Sequence, residues 1–324
     1  MDLEALTDLC TPWCVHVAAT LRIADLLADG VSDIGDLAAA ADCDADSLAR
    51  LLRHLVGKGV FEEIEPGQFV LNDAAQGLRD SPRRLGLDLT GLGGRLAYAW
   101  GGLLAAVRTG RPAYSDVFGR SFWEDLDADS DLAASFDALM GVAGHGVPDP
   151  DVLIDGDWVS VRTVVDIGGG TGALLAEILR THPTVRGTLV DLPRTVARSP
   201  ALFQAAGVAD RVTTVGQSFF DPLPAGADLY LLKNVLGDWP DPDALTLLQR
   251  CGEAVRPSGR LIVLGGISPD DAGGASPELL MLVLVGGRDR TLSEFRRLAA
   301  SAGLAVRTAG RLPSGRFAVE CIPA

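Results

Sequence analysis

The sequence predicts an α/β protein in two parts: a doubly wound, mostly parallel sheet closed by an antiparallel hairpin, preceded by a mostly helical domain. Three observations predict it. From about residue 160, short β-branched apolar runs alternate with helical ones. The end of the chain reads as two strands around a Pro313-Ser314-Gly315 turn. The first half carries apolar residues at helical spacing. The border falls in the Gly- and Pro-rich stretch 144–150, giving parts 1–150 and 151–324.

A chain of 324 residues with 48% apolar content can bury a sizeable core, so disorder is excluded as the general state. The net charge of −15 opposes any general affinity for nucleic acid or an anionic membrane, both polyanions. Acids (Asp2, Glu4, Asp8) stand where a secretion signal needs cations, and no run of about 18 uncharged apolar residues occurs. A cytoplasmic location is expected. The five cysteines read as buried free thiols of a reducing compartment. Cys10 and Cys14 sit one helical turn apart, but no His or Cys cluster in the sequence completes a zinc site, so no metal is expected.

In the first part, Leu21, Ile23, Leu26 and Leu27 form one apolar face, and Leu48, Leu51, Leu52, Leu55 and Val56 another. Gly57 and Gly59 end the second helix, and 60–64 and 68–71 flank a Pro66-Gly67 turn. Helices followed by a small hairpin are the winged-helix order. The presumed recognition helix offers only Arg50, Arg53 and His54 beside several acids, which speaks against DNA. Residues 85–145 are helical and aromatic. Trp13, Trp100, Phe136, Met140, Trp239 and Met281 can line an apolar cavity for a planar ligand; ordinary core packing is the alternative for each.

In the second part, strands are predicted over 161–167, 187–190, 212–215, 228–232 and 260–264, and the hairpin over 304–311 and 316–322. The strongest motif, Asp166-Ile167-Gly168-Gly169-Gly170-Thr171-Gly172, lies between a strand and a helix. Such glycines let the backbone approach a ligand closely. Asp191 ends the next strand, where a carboxylate can accept both hydroxyls of a ribose. The spacing Gly168-x-Gly170-x-x-Ala173 would also serve a dinucleotide. The reversed terminal hairpin favours the class I methyltransferase arrangement and S-adenosylmethionine instead.

The chain resembles the small-molecule O-methyltransferases of plant phenylpropanoid and actinobacterial polyketide pathways. The matching segments are DIGGGTG at 166–172, TLVDLP at 188–193, GVADRV at 207–212, SFFDPLP at 218–224, LLKNVLGDWPD at 231–241 and GGRDRTLSEF at 286–295. The resemblance implies a homodimer acting on a small aromatic or polyketide acceptor, with an N-terminal domain that dimerises. It implies cofactor contacts from Asp166, Gly168, Gly170, Asp191, Leu192, Ser218, Phe219 and Lys233, one of only two lysines in the chain. Ser218 stands where relatives often carry an Asp. Asn234, Gly237 and Trp239 would border the acceptor.

The family's histidine base falls at Gly237, in Gly237-Asp238-Trp239-Pro240. The two acids that flank that base in relatives fall at Gly265 and Asp289. A phenol of pKa near 10 is ionised to roughly one part in a thousand at pH 7, a deficit of about 4 kcal/mol. A general base contributes about 10²–10⁴-fold, while proximity alone can be worth about 7 kcal/mol or more. Methyl transfer by proximity therefore remains open. So does a repurposed reaction that binds S-adenosylmethionine without using its methyl (hydroxylation, decarboxylation, cyclisation or pericyclic chemistry), as does loss of activity. His145, at the junction of the two parts, and Asp289 are the candidates for proton transfer. Asp238 and Trp239 read as pocket structure.

Overall fold

A computed structural model describes residues 3–79, 81–142, 147–272 and 278–324. The chain packs as two units: Met1–Tyr98 with Leu126–Leu139, and Ala99–Asp125 with Met140–Ala324. Packing thus does not divide the chain once near 150. The helical stretch after residue 99 packs with the sheet unit, as where the Ala113 N–H donates to the Val283 carbonyl at 3.0 Å. The Gly-Pro break at 110–112 bends this stretch; the chain re-enters the first unit only for 126–139.

In the first unit, Asp33 and Asp44 cap the helices Ile34–Ala40 and Ala45–Gly57 by accepting the free N–H groups of their first turns. Ala45–Gly57 buries Leu48, Leu52 and Leu55 in a core with Ile23, Leu37, Phe61 and Phe69. The expected hairpin follows as β1 (Glu62–Glu65) and β2 (Gln68–Val70), paired antiparallel. Arg50 pairs with Asp46 at 2.6 Å and Arg53 with Glu63 at 3.0 Å. Both arginines of the would-be recognition helix are engaged by carboxylates of their own unit, in keeping with the acidic charge. The cysteine expectation needs correcting. Cys251 and Cys321 are buried, but Cys14 and Cys43 are half-buried and Cys10 is exposed, where the helix Cys10–Thr20 leaves its start at the surface.

The second unit holds a seven-stranded sheet of β3 (Thr163–Ile167), β4 (Arg186–Asp191), β5 (Val212–Gly216), β6 (Leu229–Lys233), β7 (Arg260–Leu264), β10 (Leu304–Arg311) and β11 (Phe317–Pro323). Their order is β10-β11-β7-β6-β3-β4-β5. The five strands from β7 to β5 are parallel, while β11 runs antiparallel to β7 and β10 to β11. The doubly wound sheet with a reversed hairpin is present as the sequence predicts.

Alternation along each strand fills both faces. Val165, Ile167, Tyr230, Leu232, Leu261 and Val263 meet the helix Asp241–Ala254 on one side. Val164, Leu189, Leu229, Leu231, Ile262 and Leu264 meet Ala173–Thr181 on the other. Winding reverses between β3 and β6. In such sheets the crevice beyond the carboxyl ends of the strands at that reversal is the natural ligand site. A short parallel pair, β8 (Ile267–Ser268) with β9 (Arg290–Thr291), ties the loop after β7 to the loop before the helix Leu292–Ser301. Among the described residues, no helix is long and apolar enough to cross a membrane.

Candidate active site

The glycine loop leaves β3 at this reversal. Gly168, Gly170 and Gly172 all have positive φ. A Cβ on Gly168 would lie 2.8 Å from Val235 Cγ2 and 3.5 Å from Phe219 Cε1, so the bare backbone is required there. At Gly170 the space where a side chain would stand is open. The loop is tied to the next strand by the Gly170 N–H, which donates to Asp191 Oδ2 at 2.8 Å; the Leu192 N–H donates to Asp191 Oδ1 at 2.7 Å. Asp191 is thereby fixed in orientation at the tip of β4.

Beneath the loop, Asp166 is buried, and neither carboxylate oxygen has a hydrogen-bond partner among the described residues. Burial pushes its carboxyl up to about 7; Lys233 opposes this and Asp191 adds to it. Burial likewise holds the Lys233 ammonium below its usual value, with Arg316 adding to the shift and Asp166 opposing it. An unpartnered buried carboxylate beside a ribose-ready aspartate and an open glycine crest fits a nucleoside that carries positive charge. Ser218 and Phe219 follow β5; Ser218 Oγ accepts the Phe220 N–H at 3.2 Å, and the Phe219 ring lies against the glycine loop.

The second half of the site lies on the turn Leu236–Asp238 after β6. Asp289 Oδ1 stands 3.2 Å from where a Cβ on Gly237 would sit, with Gly266 Cα 3.4 Å away. The β8–β9 pairing brings Asp289 there. Burial and then the like charge of Asp289 push the Asp238 carboxyl up to about 7. The Asp289 carboxyl is also raised, by burial and then Glu278, with Arg290 opposing. Gly265 has φ +84°, and a side chain there would strike Asn234 Oδ1.

Sequence reasoning missed Arg290 and the electrostatics of Asp238. Arg290 is almost wholly buried. Its guanidinium donates to Asp241 Oδ1 at 2.9 Å and to the carbonyls of Leu236 (3.2 Å), Arg288 (3.1 Å) and Trp239 (2.9 Å), holding the turn that carries Gly237. Its signal was its place within the 286–295 motif.

Trp239 packs into an aromatic group, with ring centroids 4.8 Å from Phe220, and 5.8 Å from both Phe219 and Trp123. The other cavity residues fall in both units. Asn234 is exposed with φ 56°, Met281 is half-buried in Leu279–Leu284, and Trp100 and Met140 are exposed, all in the second unit. Trp13 and Phe136 belong to the first unit, where the Trp13 ring meets Tyr98 at 5.1 Å. His145 lies outside the described residues. His182 stacks on Trp158 at 4.0 Å, as a packing residue.

Comparison with known proteins bears on both parts. The O-methyltransferase domain family matches residues 100–305, and the O-methyltransferase dimerisation domain matches 3–79. The chain is 43% identical over 313 residues to the 2,7-dihydroxy-5-methyl-1-naphthoate 7-O-methyltransferase of Streptomyces carzinostaticus, covering 95% of this chain and 94% of that one. It is also 43% identical over 326 residues to an aclacinomycin 10-hydroxylase of Streptomyces purpurascens, covering 95% and 86%. Among solved structures, an O-methyltransferase of neocarzinostatin biosynthesis, in complex with S-adenosylmethionine and 2-hydroxy-5-methyl naphthoic acid, superimposes with TM-score 0.92. The two share 41% identity over 100% of this chain and 99% of that one.

Proposed function

Since the chain belongs to the O-methyltransferase family, we propose that it methylates a hydroxyl of a small polyketide-derived aromatic acid of the hydroxynaphthoate type. It is an S-adenosylmethionine-dependent enzyme of class I methyltransferase fold that carries the family's dimerisation domain. We read it as a homodimer working in the cytoplasm. The observation that carries the reading is the constellation of Gly170, Asp191 and the orphaned Asp166 at the sheet's reversal.

When bound there, S-adenosylmethionine supplies an electrophilic methyl group on a sulfonium. Asp191 would hold the ribose hydroxyls, and the open backbone at Gly170 would admit the nucleoside. Asp166 and Lys233 would set the charge around it, and Leu192, Ser218 and Phe219 would flank the base. The proton of the acceptor hydroxyl needs a destination, and with glycine at 237 we assign it to the Asp238–Asp289 pair. A carboxyl raised to about 7 is far better matched to proton acceptance at neutral pH than an ordinary aspartate. The tilted and edge-on rings of Phe219, Phe220 and Trp239 supply an apolar surface for a ring.

A second reading is favoured by the likeness to an aclacinomycin 10-hydroxylase: the pocket binds the cofactor but leaves its methyl in place. A panel of hydroxynaphthoates with methyl-deuterated S-adenosylmethionine tests the two. Methylation yields a product carrying the labelled methyl; unlabelled products with the cofactor intact would establish the second reading.

A further inference from the structure

The fold answers differently from the sequence on the pair Cys10 and Cys14. Both lie in the first turn and a half of the helix Cys10–Thr20, with Sγ atoms 3.8 Å apart. His54, from the last turn of Ala45–Gly57, comes to the same place: one ligand atom from each of the three residues lies within 4.8 Å of the other two. This long-range contact adds a third donor that the sequence spacing alone does not place beside the pair. We propose that Cys10, Cys14 and His54 form a binding site for a thiophilic d¹⁰ cation of the Zn(II) class, with water in the fourth position.

Three features carry the assignment. First, tetrahedral coordination with metal–sulfur bonds of about 2.3 Å sets the sulfur–sulfur edge at about 3.8 Å, the separation observed. The imidazole's ligand atom already lies within 4.8 Å of both sulfurs. Second, the donor set of two thiols and one imidazole is the one that zinc-class ions select over Mg(II) or Ca(II). Third, the imidazole is already supported. Thr11 Oγ1 lies 2.8 Å from His54 Nε2 and donates to Asp8 Oδ2 at 2.6 Å, while Lys58 Nζ holds the same Asp8 oxygen at 3.1 Å. Outer partners of this kind orient metal-binding histidines.

Desolvation, with Cys10 adding to it, pushes the Cys14 thiol up to about 11. Each thiol releases its proton to solvent as it coordinates. A bound ion would join the helices Cys10–Thr20 and Ala45–Gly57 within the dimerisation domain. The site is independent of the methyl-transfer reading, since every residue in it belongs to the first unit.

The test uses the reduced, chelator-treated full-length protein, titrated with Co(II) and then Zn(II), with no acceptor or S-adenosylmethionine present. The expected result is a thiolate-to-cobalt charge-transfer band that saturates at one ion per chain and is bleached by Zn(II). The band should vanish in Cys10→Ser, whose exposed position leaves folding undisturbed, and in Cys14→Ser. Thr11→Val should weaken binding by about 10–100-fold, as loss of a supporting partner does elsewhere; His54→Gln should cost more. Absence of the band in wild type would overturn the site, as would a band that survives Cys10→Ser. So would recovery of Cys10 and Cys14 as an intramolecular disulfide that reductant cannot return to a metal-binding form.

Discussion

Asp289 Oδ1 lies 3.2 Å from the point at which a side chain on Gly237 would begin. The two positions compete for one volume: a carboxylate reaches into the space that a larger residue at 237 would occupy. The neighbouring Asp238 is pushed up to about 7 by burial and by Asp289, and this is the corner to which the proposed function assigns the acceptor's proton.

The pH profile follows from that. A carboxyl raised to about 7 is protonated below that pH and cannot take the acceptor's proton, so kcat/KM should rise with pH through an inflection near 7. Asp289→Asn removes the like charge but not the burial, so the inflection should move to lower pH yet stay above the ordinary carboxylate range. Asp238→Asn should abolish it and lower kcat by about 10²–10⁴-fold. A wild-type profile flat from pH 6 to pH 8 would contradict the assignment.

Gly237→His should fold, because the atom nearest its Cβ is the movable end of Asp289. The imidazole would take the space beside that carboxylate. Binding of S-adenosylmethionine should be unchanged by calorimetry, while KM for the bulkier acceptors should rise as the pocket narrows. Equal losses in cofactor and acceptor binding would show that Gly237 does not border the acceptor.

Gly168 and Gly170 should separate stability from binding. Both have φ near +60°, which costs a non-glycine residue about 1–2 kcal/mol. Gly168→Ala adds a clash with Val235 and should lower Tm the more of the two. Gly170→Ala meets open space and should lower Tm less, yet weaken S-adenosylmethionine binding at least as much. Thermal melts and titrations on both variants check the contrast.

Asp166 gives stability a pH slope. Its folded-state carboxyl is raised from the ordinary value to about 7, so the fold prefers the protonated form. Its contribution is fully present below about 4 and is lost as pH rises through about 7. Asp166→Asn should flatten the fall in urea midpoint between pH 5 and pH 8, and a slope as steep as wild type would contradict the shift.

Arg290→Met should destabilise the fold by about 3 kcal/mol in urea titration, because it leaves the Leu236 and Trp239 carbonyls without their buried donor. Arg290→Lys should rescue little, since an ammonium cannot reproduce the forked geometry.

The sheet was legible because its signals are local. Apolar runs along 161–167 and 228–232, and the Pro313-Ser314-Gly315 turn, fix strands from their own residues, and the glycine loop and Asp191 lie directly on strand ends. What escaped depends on partners distant in the chain. Asp238 is ordinary until Asp289 is brought beside it by the β8–β9 pairing. Arg290 is an ordinary loop arginine until it meets the 236–239 turn, and His54 is a surface histidine until its helix crosses Cys10–Thr20. The helices of 99–125 read alike whichever unit they join; only packing assigns them to the sheet.

Cofactor accounting tests the central claim most directly. Purified enzyme is incubated with S-adenosylmethionine and a hydroxynaphthoate acceptor, and S-adenosylhomocysteine and methylated product are counted together by mass spectrometry. Methyl transfer predicts that the two appear in equal amounts, and that both fall together in Asp191→Ala. Conversion of the acceptor with S-adenosylmethionine left whole would contradict it.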